Sequence, residues 1–434
     1  MAPLKVLISG AGIAGPALAS LLVRITTFPC TIVIVERHPS LRSSGQQIDL
    51  RGQGVDAMRA IGIEPQVRRA HVNEPGMSFV NRSGKQIAFL AANKTGKGRQ
   101  SFSSEFEIMR GDLCQILCQL TESHPNVTYK FGTSVTSLTF PTTNPDSPVS
   151  VRFSDGTEDR YDLVVGADGV GSKIRRLMNT HDNLPKDPFY PLGFYIAFWT
   201  IPPRPDDPPA ATCCHLPGRR MLMTRRDRPD CLRVYFGAVG NYPDLDSAFR
   251  SGDLQSMKEQ VARLMIATKD DEDVAQMRRF LDGLLHSPLA DDFYGQGLGQ
   301  IKRDSWSSGR VVLLGDAGYC PSPASGLGTT VGLVGAWVLA GELAKACSKD
   351  PENPRAGVAE ALRQYETTLG PFVHEAQQLW VGAFKAALPE TKFGIAALHW
   401  ILWGITTLKI DKLAMSFSDD KRGTWDLPKY PELN

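Results

Sequence analysis

Short, unbroken apolar runs alternate along this chain with segments whose apolar residues recur every three or four positions. Val6-Leu7-Ile8 is the first run, and Ala17, Leu18, Leu21 and Leu22 follow it at helical spacing. TIVIVERHP, DLVVGADG and GRVVLLGDAG carry three more runs of the same kind. Runs bounded by turn residues and followed by helical segments predict buried parallel strands of an α/β sheet. Elsewhere the pattern changes. VSVRFSDGTEDRY predicts a hairpin around Asp155-Gly156, and MLMTRRDRPDCLRVYFGAV predicts two strands joined at Arg228-Pro229-Asp230. Residues 247–285 are charged and helical in period, and GLGTTVGLVGAWVLAGELAKAC predicts a long apolar helix whose small residues suit close packing.

The parallel-strand elements fall in three separated blocks: the start, around 106–180 and around 300–346. Antiparallel patterns fill the gaps, so two intertwined domains with a cleft between them are expected. A length of 434 residues is ample for this. NKTGKGRQSFSSE (93–105) is polar and rich in Gly and Lys, which predicts a mobile loop. The formal charge of +2, with no basic run, argues against a nucleic-acid-binding body. Eight scattered cysteines show no zinc-site spacing and read as reduced, small apolar residues. With no signal-peptide pattern before the first strand, a cytoplasmic setting is expected. FGIAALHWILWGITTL (393–408) is apolar but shorter than the ~20 residues that cross a bilayer. It reads as a packed C-terminal helix, with a monotopic membrane contact as the less favoured reading. The closing SFSDDKRGTWDLPKYPELN reads as a polar tail extended over the surface.

Candidate chemistry begins in the first turn. Gly10, Gly12 and Gly15 have G-x-G-x-x-G spacing, with Ala14 inside the turn, between a strand and a helix. The first glycine permits the tight turn, the second lets a pyrophosphate approach the backbone, and the third lets helix and strand pack closely. The helix N-terminus offers free N–H groups and positive dipole to the phosphates. Glu36 ends the second strand, where an acid accepts both ribose hydroxyls. A dinucleotide is therefore expected, with FAD, NAD and NADP all open at this point.

Three further stretches narrow the choice. IMRGDLCQILCQL places Arg110 at the start of a helix; DLVVGADGVGSKIRRLM places Asp168 after a strand; GRVVLLGDAGYCPSPASGLGTT places Asp316 at a strand end, then Pro323 and the Gly326-Leu327-Gly328 turn. In this order and separation, the motifs resemble the class A flavoprotein monooxygenases, the para-hydroxybenzoate hydroxylase superfamily. ERHPSLRSSGQQIDL, IKRDSWSSGRVVLLGDAGY and GLGTTVGLVGAWVLAGEL look most like the branch of tetracycline-inactivating monooxygenases. The resemblance implies a Rossmann-like FAD-binding domain (1–72, 101–181 and 286–372) interleaved with a mixed β-sheet substrate domain (73–100 and 182–285). Residues 373–434 would form a C-terminal helical segment that bridges the two, and the tail.

It further implies that the three glycines hold the FAD pyrophosphate, with Glu36 on the adenosine ribose and Arg37 beside the adenine. Arg110 would reach the pyrophosphate or ribityl region, and Asp316 the ribityl chain. Asp168 would support the flavin site and NADPH docking, while Arg42 and Asp49 belong to the loop near NADPH and flavin. Pro323 would stiffen the isoalloxazine side, and the helix opening at Gly326-Leu327-Gly328 would direct its dipole at the flavin pyrimidine edge. The chain departs from the family pattern at Gly318-Tyr319, Thr330 and Gly335. No His or Cys is placed for covalent attachment, so FAD would be noncovalent.

The implied activity uses NADPH and O2, through a C4a-hydroperoxyflavin, to hydroxylate an aromatic or polycyclic small molecule such as a natural product. Such chemistry rests on orientation and exclusion of water and calls for no assigned acid or base. Epoxidation, Baeyer–Villiger insertion and a flavin-binding protein without oxygenation are the alternative readings; the halogenase Trp-x-Trp-x-Ile-Pro signature is absent from FWTIPP. The substrate sheet contributes Phe194, Tyr195, Phe198, Trp199, Met221, Met223, Tyr235 and Phe236, half of which alternation assigns to one face. His215, Tyr195 and Arg233 are its titratable candidates, with a plain core or surface role favoured for each.

Overall fold

The computed structural model describes residues 3–41, 45–72, 74–92, 106–144, 146–184, 187–379, 381–408 and 425–433. The expected loop at 93–105 lies outside the described residues. The first apolar run becomes the strand Leu4–Ser9, at the interior of a six-stranded sheet. Its neighbours are Leu163–Gly166 on one side and Cys30–Glu36 on the other, with Val311–Leu313 and Val127–Phe131 beyond them. All these pairs are parallel; only the two-residue edge strand Ser307–Ser308 runs antiparallel. The runs are continuous rather than alternating because both faces of the sheet are covered. The helix Ala14–Leu22 and the long helix Gly328–Cys347 pack together. The latter is apolar and long enough to cross a membrane by composition, yet 94% of its apolar window is buried in this core.

The second domain is built on a seven-stranded sheet. Its order is Tyr294–Ile301, Phe189–Ile201, Cys231–Val239, Arg220–Arg228, Ala211–Leu216, Gly76–Val80 and Gln86–Ala91. One pair, Ala211–Leu216 with Gly76–Val80, is parallel and the rest are antiparallel. Tyr195, Trp199, Leu232, Val234 and Phe236 form a core with Leu245, Val261, Met265 and Phe280 from the charged helical stretch. That stretch forms the helices Pro243–Ser251, Leu254–Met265 and Met277–His286. The two expected hairpins are present, as Val149–Phe153 with Glu158–Tyr161 and as Arg220–Arg228 with Cys231–Val239.

The C-terminal part differs from expectation twice. The helix Lys392–Thr407 sits on the strands Gln86–Ala91 and Ala211–Leu216, yet none of its residues is buried. It is apolar on most sides, so a narrow stripe containing His399 and Leu402 meets the sheet, and Phe393, Trp400, Ile401 and Trp403 face outward. The tail is the second difference. Tyr430 and Leu433 are buried in the first domain's core, against the long helix. Trp337 Nε1 donates to Pro428 O at 2.8 Å, Trp425 Nε1 to Thr368 O at 3.0 Å, and the Tyr430 hydroxyl to Glu342 Oε1 at 2.7 Å. A Cβ at Gly341 would overlap the Tyr430 ring, so that glycine makes the groove. The tail's polar composition hid three apolar anchors spaced along Trp425–Leu433.

Between the two, the chain crosses from the helix Val358–Ala376, packed on the long helix, to Lys392–Thr407 on the second sheet. Tyr430→Ala is expected to lower unfolding free energy by about 3–5 kcal/mol, and Tyr430→Phe by about 1 kcal/mol. Urea unfolding measures both; an unchanged Tyr430→Ala midpoint would remove the tail from the folded core.

Candidate functional site

Three parallel strands end at one edge of the first sheet, with Ser9 paired to Gly166 and Gly166 to Leu313. Their ladder continues one residue further: Gly10 N donates to Val35 O (2.8 Å), Ala167 N to Ser9 O (2.8 Å) and Leu314 N to Gly166 O (2.9 Å). The three motif turns therefore leave side by side, where α/β sheets place their ligand crevices. Here they border a cavity of about 720 Å³ whose other wall is the open face of the second sheet.

Gly10, Gly12, Ala14, Glu36, Arg37, Asp49, Arg110, Asp168, Asp316, Pro323, Gly326 and Gly328 all line this cavity. Gly15 stands behind it, where a Cβ would overlap Gly10 O, which is the close strand–helix contact expected of the third glycine. Leu327 caps the long helix and packs against the core instead of lining the cavity. Arg42 lies outside the described residues.

Gly10 has φ +116° and its hydrogen faces Ala167 O, so no side chain fits there. Glu36 accepts hydrogen bonds from Ala11 N and His38 N, each 3.0 Å, and so braces the glycine turn while keeping lone pairs for hydroxyl donors. A Cβ at Gly12 would stand 3.4 Å from Arg110 Nη2, which puts this guanidinium against the turn. The Asp168 carboxylate takes on a structural duty as well: it accepts from Ser172 Oγ (2.5 Å), Lys173 N (2.7 Å) and Ile174 N (3.2 Å), capping the helix Lys173–His181. Arg175 on that helix is buried and donates to Val170 O at 2.6 Å and Ala317 O at 2.9 Å, tying the second motif to the third.

Asp316 carries the most telling detail. Its Oδ1 is buried with no hydrogen-bond partner among the described residues. Burial raises this carboxyl above its usual range, opposed by Cys320 and by the charge of Arg110. A buried acceptor left unmatched costs about 1–3 kcal/mol. A polyhydroxylated ligand chain would satisfy it, and Arg37, Arg110, Lys173 and Arg176 give the same cavity the positive charge that phosphates require. This donor and acceptor set fits FAD.

Two of the departures from the expected pattern, Tyr319 and Gly335, are coupled. The Tyr319 hydroxyl shares a 2.7 Å hydrogen bond with Tyr365, and its ring lies 4.6 Å from Trp306. A Cβ at Gly335 would overlap that hydroxyl, so Tyr319 and Gly335 require each other.

On the second sheet, Phe198, Met223 and Tyr235 line the cavity, whereas Tyr195, Trp199 and Phe236 pack on the opposite, helical side. Met77, Ile196, Arg225, Tyr294 and Gln296 complete the wall. The sequence reading missed them, although Arg225 follows Met221 and Met223 in strict alternation. None of the three titratable candidates lines the cavity. His215 stacks on Phe79 and meets His399 at 3.3 Å; burial, then the neighbouring His399, push its imidazole down to about 4. Arg233 is paired with Asp292 at 3.2 Å, and Tyr195 packs edge-on against Tyr242.

Comparison with known proteins gives the family and the fold. Residues 3–214 match a family model described as an FAD binding domain. The chain is 36% identical to the FAD-dependent monooxygenase asL4 of Sarocladium schorii, covering 100% of this chain and 99% of the relative. It is 39% identical to the flavin-dependent monooxygenase eupH of a Phoma species, over 92% and 91% of the two chains. Among solved structures, tetracycline destructase Tet(55) superposes with a TM-score of 0.75 at 28% identity, covering 99% of each chain. HpxO of Klebsiella pneumoniae, complexed with FAD and uric acid, shares the fold at 18% identity and a TM-score of 0.63, over 95% and 96%. With a relative at this identity along its whole length, the chain belongs to the FAD-dependent monooxygenases.

Proposed function

We propose that this enzyme uses NADPH and O2 to hydroxylate a flat aromatic or polycyclic small molecule of the natural-product kind. The observation that carries the reading is the single cavity in which an unmatched Asp316 acceptor and the Arg110 guanidinium face an aromatic and methionine wall. In this reading Gly10, Gly12 and the helix behind them receive the pyrophosphate of noncovalently held FAD. Glu36 and Arg37 hold its adenosine, Arg110 its pyrophosphate or ribityl region, and Asp316 its ribityl hydroxyls. The N-terminus of Gly328–Cys347, with Pro323 and Gly326 before it, favours negative charge on the ring system. Asp168 supports both the flavin site and NADPH docking, Arg42 belongs to NADPH docking, and Asp49 to the flavin side.

Bound FAD supplies electron transfer from NADPH to O2 and delivery of one oxygen atom to the substrate. The chain's own part is to orient the substrate against Phe198, Met223 and Tyr235 and to keep water from the reacting atoms. A polycyclic substrate is supported by the tetracycline destructases, to which this chain is 27% and 28% identical. Eight free, buried cysteines support a reducing, cytoplasmic setting.

The purified protein is expected to be yellow, to release FAD on denaturation, and to oxidise NADPH faster when its aromatic substrate is added, with one oxygen gained in the product mass. Colourless protein that cannot be reconstituted with FAD ends the reading. Asp316→Ala is expected to weaken FAD binding about 10- to 100-fold in a fluorescence titration; unchanged affinity would detach Asp316 from the flavin. Phe198→Ala is expected to raise the share of NADPH electrons recovered as H2O2, since a loosened wall admits water. Unaltered coupling would take Phe198 out of the substrate wall.

A further inference from the structure

The helix Lys392–Thr407 is fixed to the second domain on one side and turns uncharged side chains outward on the other. Its N-terminal end is held by the turn before Arg220–Arg228. There Gly218 N donates to Glu390 O at 2.7 Å, Arg219 Nη2 pairs with Glu390 Oε2 at 3.0 Å, and Lys392 pairs with Asp270. Thr391 Oγ1 caps the first turn by accepting from Gly394 N at 3.0 Å. On the inner stripe His399 meets His215, and Leu402 packs against the cluster that includes Met77, Phe79 and Met223. These contacts fix which face points away from the protein.

On that outer face Phe393 is 84% exposed, Leu408 71%, Trp400 69%, Ile401 59% and Trp403 48%. At 3.6 residues per turn, these positions sweep about 160° of the helix surface. No Asp, Glu, Lys or Arg occurs from Phe393 to Leu408. An ordinary surface helix shows the reverse, with its charged side turned to water. An apolar patch this broad marks an interaction surface.

Three observations say what covers it. Lys392 and Lys409 stand at the two ends of the uncharged stretch, and no acidic residue lies between Glu390 and Asp411, so the rim suits anionic headgroups. The face is wider than the a/d seam through which two helices pair, and it carries two tryptophans, the residue type enriched at bilayer interfaces. Finally, the apolar cluster under Leu402 reaches the substrate wall, because Met77 and Met223 belong to both. Both flanks of the helix return to the protein, through Glu390 to Gly218 and through Trp425 to Phe372, so it lies on a surface instead of spanning one.

We propose that the outer face of Lys392–Thr407 docks in the plane of a bilayer interface that contains anionic lipid. The choice of a bilayer rests in part on the reading above, since flat polycyclic substrates dissolve in lipid and would wait one apolar layer from the cavity. The contact itself needs neither flavin nor turnover.

Flotation of the full chain tests it, with vesicles of phosphatidylcholine and about one quarter phosphatidylserine. The wild-type chain is expected to float with the vesicles. The Trp400→Glu, Trp403→Glu double variant is expected to bind about tenfold more weakly or worse, with its urea midpoint unchanged because both side chains face outward. A wild-type chain that stays below the vesicles overturns the proposal, and so does a variant that floats equally well. Self-association that the double variant abolishes, without vesicle binding, overturns it in favour of a second copy. Should the variant not fold, vesicles with brominated acyl chains decide: tryptophan emission of the unaltered chain must be quenched, and unquenched emission contradicts the proposal. Colourless chain that floats upholds the surface while ending the flavin reading; yellow, active chain that does not float removes the surface alone.

Discussion

Backbone hydrogen bonding at one sheet edge is the constraint on which this molecule depends. Gly10, Ala167 and Leu314 each extend the parallel ladder by one residue beyond Ser9, Gly166 and Leu313, so three distant motifs emerge within one peptide width of each other. Gly10 is obligatory because Ala167 O occupies the place of its side chain. Arg175 then fixes the second turn to the third through Val170 O and Ala317 O. The positions of Glu36 and Asp316 around one cavity follow from that edge, while Arg110 is carried to it by the separate two-stranded sheet of Gln47–Leu50 and Phe106–Met109.

The second domain contributes a wall rather than a grip. Its seven-stranded sheet divides cleanly by alternation, with Trp199 and Phe236 turned to the helices and Phe198 and Tyr235 turned to the cavity. The C-terminal chain joins the two bodies and returns to the first, where Tyr430 fills the groove left by Gly341. The seam between the bodies is charged: Arg225 of the second sheet pairs with Glu74 at 3.3 Å and lines the same cavity as Asp49 of the first domain.

Much of this was legible in the sequence where a residue type has few physical uses. Glycines at fixed offsets after an apolar run, and acids at strand ends, pointed to a dinucleotide, and Gly10, Glu36 and Asp316 all border the cavity. Alternation in the substrate strands limited the wall to half of the aromatic residues without saying which half. Residues that depend on tertiary register were not legible. Arg225 resembles any surface cation of a hairpin. The tail was misread because three aromatic and aliphatic anchors are diluted among polar neighbours. The helix 392–407 was misread in the opposite direction, since apolarity on most sides exceeds what one sheet contact can cover.

The central claim is that separated motifs close on one flavin, and a structure determined with FAD bound tests it most directly. The account predicts that Glu36, Arg110 and Asp316 all lie within hydrogen-bonding distance of the same FAD molecule, with Phe198 and Tyr235 across the cavity from its ring. FAD bound elsewhere, or touching one of those three residues while the others remain out of reach, would contradict it.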